Sequence, residues 1–138
     1  MRFFPLSALV LLMACGSPPP PLVASDVEIT RPMPGREMSA GYLVLTNNTD
    51  EVIVIDGVTS PQFGAVEVHE TTLEDGISRM RQIEELVVPA RGSVTLERGG
   101  KHLMLMRSKG PDGIITLQFL SRGEPVLTIE QQYDRKMD

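Results

Sequence analysis

The sequence predicts an all-β domain, a β-sandwich or Greek-key barrel, from three observations. Strand-like runs are short and evenly spaced, at 41–46, 52–58, 65–70, 93–96, 102–106, 114–120 and 126–131. Turn-forming clusters separate them: "NNTDE", "TSPQFG", "LEDG", "PARGS", "RGG", "KGPDG" and "SRGE". No segment keeps helical periodicity for a dozen residues. The chain's 138 residues are enough for one domain around one core.

The chain opens on a targeting pattern. "MRFFPLSALVLLMAC" has one early positive charge, Arg2, then an apolar run and small residues, the layout of a secretory signal. The run is too short to span a bilayer as a helix. "LMACG" resembles a bacterial lipobox, in which a leucine lies three residues before a cysteine that is lipidated after cleavage. Met13 stands where that pattern usually has a small or aliphatic residue. Cys15 is the only cysteine, so no disulfide can staple the domain. A lone cysteine at the end of a signal is explained as an attachment point. Residues 1–14 are therefore expected to be a lipoprotein-type signal peptide. Residues 15–26 form the lipidated cysteine and a linker, because four successive prolines favour an extended polyproline helix. The β domain is expected over 27–131, followed by a short tail over 132–138.

Period-2 alternation assigns faces within the strands. In "AVEVHE", Val66 and Val68 share one side, and Glu67 and His69 the other. In "KHLMLM", Leu103 and Leu105 oppose His102, Met104 and Met106. In "GISRMRQ", Ser78, Met80 and Gln82 share a side. Both histidines of the chain thus stand away from the aliphatic side, on the expected outward face. Imidazole and thioether together form a soft to borderline donor set that suits copper, above all Cu(I). Zinc prefers thiolate, imidazole or carboxylate, and calcium and magnesium take oxygen.

Ten residues separate His69 from Met80, twenty-one separate Met80 from His102, and one separates His102 from Met104. This H-x10-M-x21-H-x-M spacing resembles the motif of the periplasmic copper chaperone family PCuAC. "GYLVLTNNTDE", "VEVHET", "ISRMRQIEEL" and "VPARGSVTLERGGKHLMLM" are similar to that family's successive segments, over about 27–131. The resemblance implies a cupredoxin-like β-sandwich. It implies His69, Met80, His102 and Met104 as Cu(I) ligands, with delivery to a copper-enzyme acceptor, the CuA centre of cytochrome c oxidase. It places the protein in the bacterial periplasm, lipid-anchored through Cys15, on the outer membrane. A monomer is expected. Met106 faces the same way but lies outside the motif and is assigned to packing around the ligands. Met33 and Met38 are read as core filler, and the single Met137 makes a second copper site in the tail doubtful.

Other classes fit less well. A net charge of −5 without a Lys/Arg cluster argues against nucleic acid. No nucleophile motif, phosphate loop or haem-attachment motif is present, so an enzyme is not expected. A blue-copper electron carrier needs a cysteine thiolate that the folded part lacks. "LEDG" is a hairpin turn rather than a calcium loop, and "NNTD" carries turn chemistry. Copper sequestration without an acceptor, and a metal-free adhesion or assembly module, are the alternative functions.

Overall fold

The computed structural model describes residues 15–32, 35–110 and 113–133. The signal segment 1–14, Met33, residues 111 and 112, Met137 and most of the expected tail lie outside the described residues. Eleven strands and no helix make up the described chain. They are β1 (Leu22–Ile29), β2 (Met38–Asn47), β3 (Ile53–Ile55), β4 (Gly57–Thr59), β5 (Phe63–Glu74), β6 (Ile77–Ile83), β7 (Leu86–Val88), β8 (Ser93–Leu96), β9 (Lys101–Ser108), β10 (Ile114–Ser121) and β11 (Glu124–Gln132).

One sheet runs β1-β2-β9-β5-β4-β10-β11, with β8 added to β2 and β6 to β5, and β3 pairs with β7 separately. β1 also lies against β11, so the sheet nearly closes into a barrel. This is the all-β single domain that the strand spacing predicts. Two long strands are shared between partners. β2 gives the edge opposite β1 first to β9, at Met38–Gly41, and then to β8, at Leu43–Thr46. β5 pairs with β9 along one edge from Phe63 to Glu70. Along the other it meets β4 at Val66 and β6 from Val68 to Glu74.

The core follows the alternation. Leu43 and Leu45 of β2, Val66 and Val68 of β5, Leu103 and Leu105 of β9, and Ile115, Leu117 and Phe119 of β10 all point inward and are buried. Hairpin chemistry closes the ribbons. Asp75 and Gly76, both at positive φ, join Glu74 to Ile77; Arg122 and Gly123 join Ser121 to Glu124 in the same way. Both are two-residue turns of the kind whose twist matches the strands. Asn47, buried, builds the next turn. Its Oδ1 accepts from the Thr49 N–H and hydroxyl, and its amide nitrogen donates to the carbonyls of Glu51 and Val88.

Three expectations need correction. β1 starts at Leu22, inside the stretch 15–26 taken as linker. The prolines end at Pro21, and "LVAS" can pair from there, with Leu22 opposite Asn47. The run 52–58 is two strands, broken at Asp56, whose amide donates instead to the Leu120 carbonyl. Met38 is no core residue: it is 43% exposed. It is in phase with Ala40 and Tyr42, opposite in direction to the buried Leu43 and Leu45.

β1 gives a direct test. Leu22→Ala should cost about 2–5 kcal/mol in urea unfolding, the range for emptying a buried leucine site. If residues 22–25 were a solvated linker, the change would stay within about 0.5 kcal/mol.

Candidate metal centre

The β5–β9 ladder places the two histidines directly opposite each other. His69 pairs with His102, Glu67 with Met104 and Ala65 with Met106. The intervening pairs, Val68 with Leu103 and Val66 with Leu105, face the core. The rings of His69 and His102 lie 6.1 Å apart between centroids and are tilted by 45°. On the neighbouring strand Gln82 pairs with His69 and Met80 with Thr71, so Met80 shares this face. All four sequence-predicted ligands are on one face of β6, β5 and β9.

They are not equally accessible. Instead of standing out into solvent, the imidazoles are recessed: His102 is 9% exposed and the His69 side chain 14%. Each ring helps cover the other, which alternation along a single strand cannot reveal. Met104 is half-buried, while Met80 is 50% exposed. Met80 sits two residues along the ladder from the histidine row, and Met104 two residues the other way. On a flat sheet their Cα atoms would be roughly 16 Å apart, from strand spacings of about 4.8 Å and rises of about 3.4 Å. Convergence on one ion therefore depends on curvature. The pairing of β5 with β9 ends at Glu70, and from Thr71 onward β5 and β6 form a two-stranded ribbon. Such ribbons twist more strongly than wider sheets.

Hydrogen bonds set the state of each ring. Nδ1 of His102 lies 3.1 Å from the Gly100 carbonyl, which can only accept, so Nδ1 carries the proton and Nε2 the lone pair. Nε2 of His69 lies 2.7 Å from Oε2 of Glu67. The carboxylate accepts, so Nε2 carries a proton, and in the neutral ring Nδ1 holds the lone pair. That Nδ1 is buried and has no hydrogen-bond partner. An oriented imidazole with one nitrogen bound to an acceptor and the other free is the usual state of a metal-ligating histidine.

The glycines before His102 serve this arrangement. Gly99 has φ +79°, which suits glycine. It turns the chain so that the Gly100 carbonyl accepts from both the Thr71 N–H, at 3.0 Å, and the His102 ring. One carbonyl thus ties the β9 entry to the base of the β5–β6 ribbon. On the opposite face Glu70 bridges Arg81 and Lys101, at 3.5 and 3.4 Å, bracing the same place. Glu70 is therefore an ion-pair bridge rather than a merely solvated carboxylate. Alternation in the sequence puts Glu67 on the same side as His69, but the Gly100 carbonyl carries no side-chain signal. Among the described residues, no three His, Cys, Asp or Glu side chains form a metal-holding group.

The two ring states are checkable by 15N NMR of the metal-free protein at mildly alkaline pH. His102 should show the Nδ1–H tautomer and His69 the Nε2–H tautomer. Matching tautomers in both rings would contradict the hydrogen bonding described.

One sequence family, described as "Putative lipoprotein LpqE-like", matches residues 22–123. A relative from Leifsonia xyli subsp. xyli (strain CTCB07), named "Putative lipoprotein Lxx21020", is 30% identical over 78 residues. That match covers 56% of this chain and 47% of the relative, so it spans about half of that protein's length. Among solved structures, the copper-bound PCuAC domain from PmoF2 aligns with a TM-score of 0.67 at 17% identity, covering 83% of this chain and 92% of that one. The solution structure of CuI-DR1885 from Deinococcus radiodurans aligns with a TM-score of 0.64 at 25% identity, covering 92% and 85%. The resemblance to PCuAC domains stated from the sequence is thus matched by the fold, and the chain belongs to the LpqE-like lipoprotein family.

Proposed function

We propose that this protein is a copper carrier that holds one Cu(I) ion through His69, Met80, His102 and Met104 and passes it to a copper-protein acceptor. The carrying observation is the cross-strand His69–His102 pair. Each ring has one nitrogen committed to an acceptor, and thioethers flank the pair on the same face. Imidazole and thioether are neutral and soft enough to select Cu(I) over zinc or hard cations. Solved structures with this fold include a copper-bound PCuAC domain and CuI-DR1885, which supports the choice of metal.

Unequal exposure gives the transfer a direction. Met80, half exposed on the ribbon, is the donor an incoming ligand displaces first. Met104 follows, and the recessed imidazoles let go last. Exchange by such steps never frees the ion. The resemblance to PCuAC chaperones makes the CuA centre of cytochrome c oxidase the proposed acceptor. The lipoprotein names of the family and of the Leifsonia relative support an envelope-anchored protein. We place the anchor on Cys15, with the protein in the periplasm at the outer membrane. Cys15 is exposed, followed by six residues that reach β1.

Cu(I) titration against a competing chelator tests the centre, using the full chain in mild detergent with Cys15→Ser to remove the one thiol. One tight equivalent is expected. Met80→Leu or Met104→Leu should weaken it strongly, and Met106→Leu should leave it unchanged. Glu67→Gln should lower affinity roughly 10–100-fold, as loss of a histidine-orienting partner does. Equal affinity across all these variants would overturn the assignment. Transfer to an apo CuA domain tests delivery; tight binding without transfer would replace delivery by sequestration. For the anchor, Cys15→Ser should move the protein out of the membrane fraction, and unchanged fractionation would remove the anchor.

A further inference from the structure

Beyond the histidine pair, the same face carries a second group of thioethers. Met38, the first residue of β2, pairs directly with Met106 of β9, and Ala40 pairs with Met104. On the other side of β9, Ala65 pairs with Met106. Directly opposed residues have Cβ atoms about 4.5–5.5 Å apart, and diagonal ones about 7–8 Å, within reach of long side chains. Met38, Met104 and Met106 therefore lie side by side, with alanines in the facing positions Ala40 and Ala65.

This is not how methionines fill a core. Met38 is 43% exposed, and Met104 and Met106 are both half-buried. The aliphatic packing of these strands is on the opposite face, at Leu103 and Leu105. Ala40 and Ala65 are small neighbours, and no side chain of the three methionines is charged. Glu67, opposite Met104 in the ladder, is engaged by His69. Soft thioethers favour a soft monovalent cation.

We propose that Met38, Met104 and Met106 form an auxiliary thioether-only site for a soft monovalent cation, Cu(I) or Ag(I), contiguous with the histidine centre through Met104. The site binds without electron transfer and without releasing a proton, because thioethers are neutral and carry none. It is weaker than a site with imidazoles. When Met104 is engaged at the histidine centre, Met38 and Met106 remain as a two-coordinate position. An ion there can pass to the histidines by exchange at Met104. The proposal stands on the β2–β9 register and does not need the histidine centre to be correct.

The test is an Ag(I) titration of the full chain carrying Cys15→Ser, in mild detergent and chloride-free buffer. It is followed by NMR of 13C-labelled methionine methyls, assigned by single Met→Leu variants. The first equivalent should move the Met80 and Met104 signals together with the histidine rings. The second should move Met38 and Met106. Met38→Leu with Met106→Leu, a volume-conserving exchange on a partly open face, should abolish the second step and keep the first. The single variant Met38→Leu should weaken the second step, guarding against misfolding of the double one. Met38 and Met106 signals that stay still through several equivalents would overturn the site. So would a double variant that keeps the second step. Movement of Met38 and Met106 at the first equivalent, with silent histidine rings, would support this site and remove the histidine centre instead.

Discussion

The antiparallel ladder between β5 and β9 is the constraint on which the rest depends. Its register brings Val66 to Leu105 and Val68 to Leu103 on the inner face. The same register brings Glu67 to Met104 and His69 to His102 on the outer one. Side chains alternate with a period of two, so a slip of β9 by one residue would turn every one of its side chains over. Leu103 and Leu105 would then face out, each losing about 1.5–3 kcal/mol of burial. His102 would enter the barrel interior. The apolar face thus holds the polar one in position: the core determines where the candidate ligands stand.

Beyond Glu70 the constraint relaxes. β5 continues with only β6 beside it, and nearly every β6 residue is exposed. The ribbon is tied down by polar contacts, through the Gly100 carbonyl to Thr71 and through Glu70 to Arg81 and Lys101. Surface ion pairs of this sort are weak, typically about 0–1 kcal/mol each. Met80 is therefore carried by an element held far less firmly than β5 and β9. A rigid half supplying imidazoles and a loosely held half supplying a thioether suit a site that must both retain an ion and give it up.

The legibility of the sequence followed the same division. The strands that bury one face were visible, because "AVEVHE" and "KHLMLM" alternate cleanly, and their alternation assigned His69, His102 and Met104 to the face they occupy. β6 is absent from the strand-like runs, although its alternation puts Met80 with Ser78 and Gln82. Exposed on both faces, it has no clear apolar period, and Arg79 and Arg81 accompany Ile77. β7 is three residues long, and β1 was hidden by the prolines before it. The recess around the imidazoles was illegible for a different reason. Burial of His102 comes from a residue on another strand and from a turn carbonyl, and neither has a sequence period. Met38 was misjudged because the strand was expected to begin at Gly41. Extended three residues back, the alternation that buries Leu43 and Leu45 places Met38 outside.

Charge completes the picture of this face. The four proposed ligands are neutral and would leave the positive charge of a bound Cu(I) uncompensated among them. Glu67, beside Met104 in the ladder and hydrogen-bonded to His69, is the anion in direct contact with the group. Its carboxylate holds the imidazole in its ligating tautomer and lies on the same face as the ion would. At the other end, around Met38 and Met106, the facing residues are alanines and no such anion is paired with the sulfurs. An ion moving along β9 from Met106 through Met104 toward the histidines would therefore gain both harder donors and a nearby counter-charge. With both proposed sites occupied as described, the face would grade from weak to strong holding in one direction, with Met104 common to both ends.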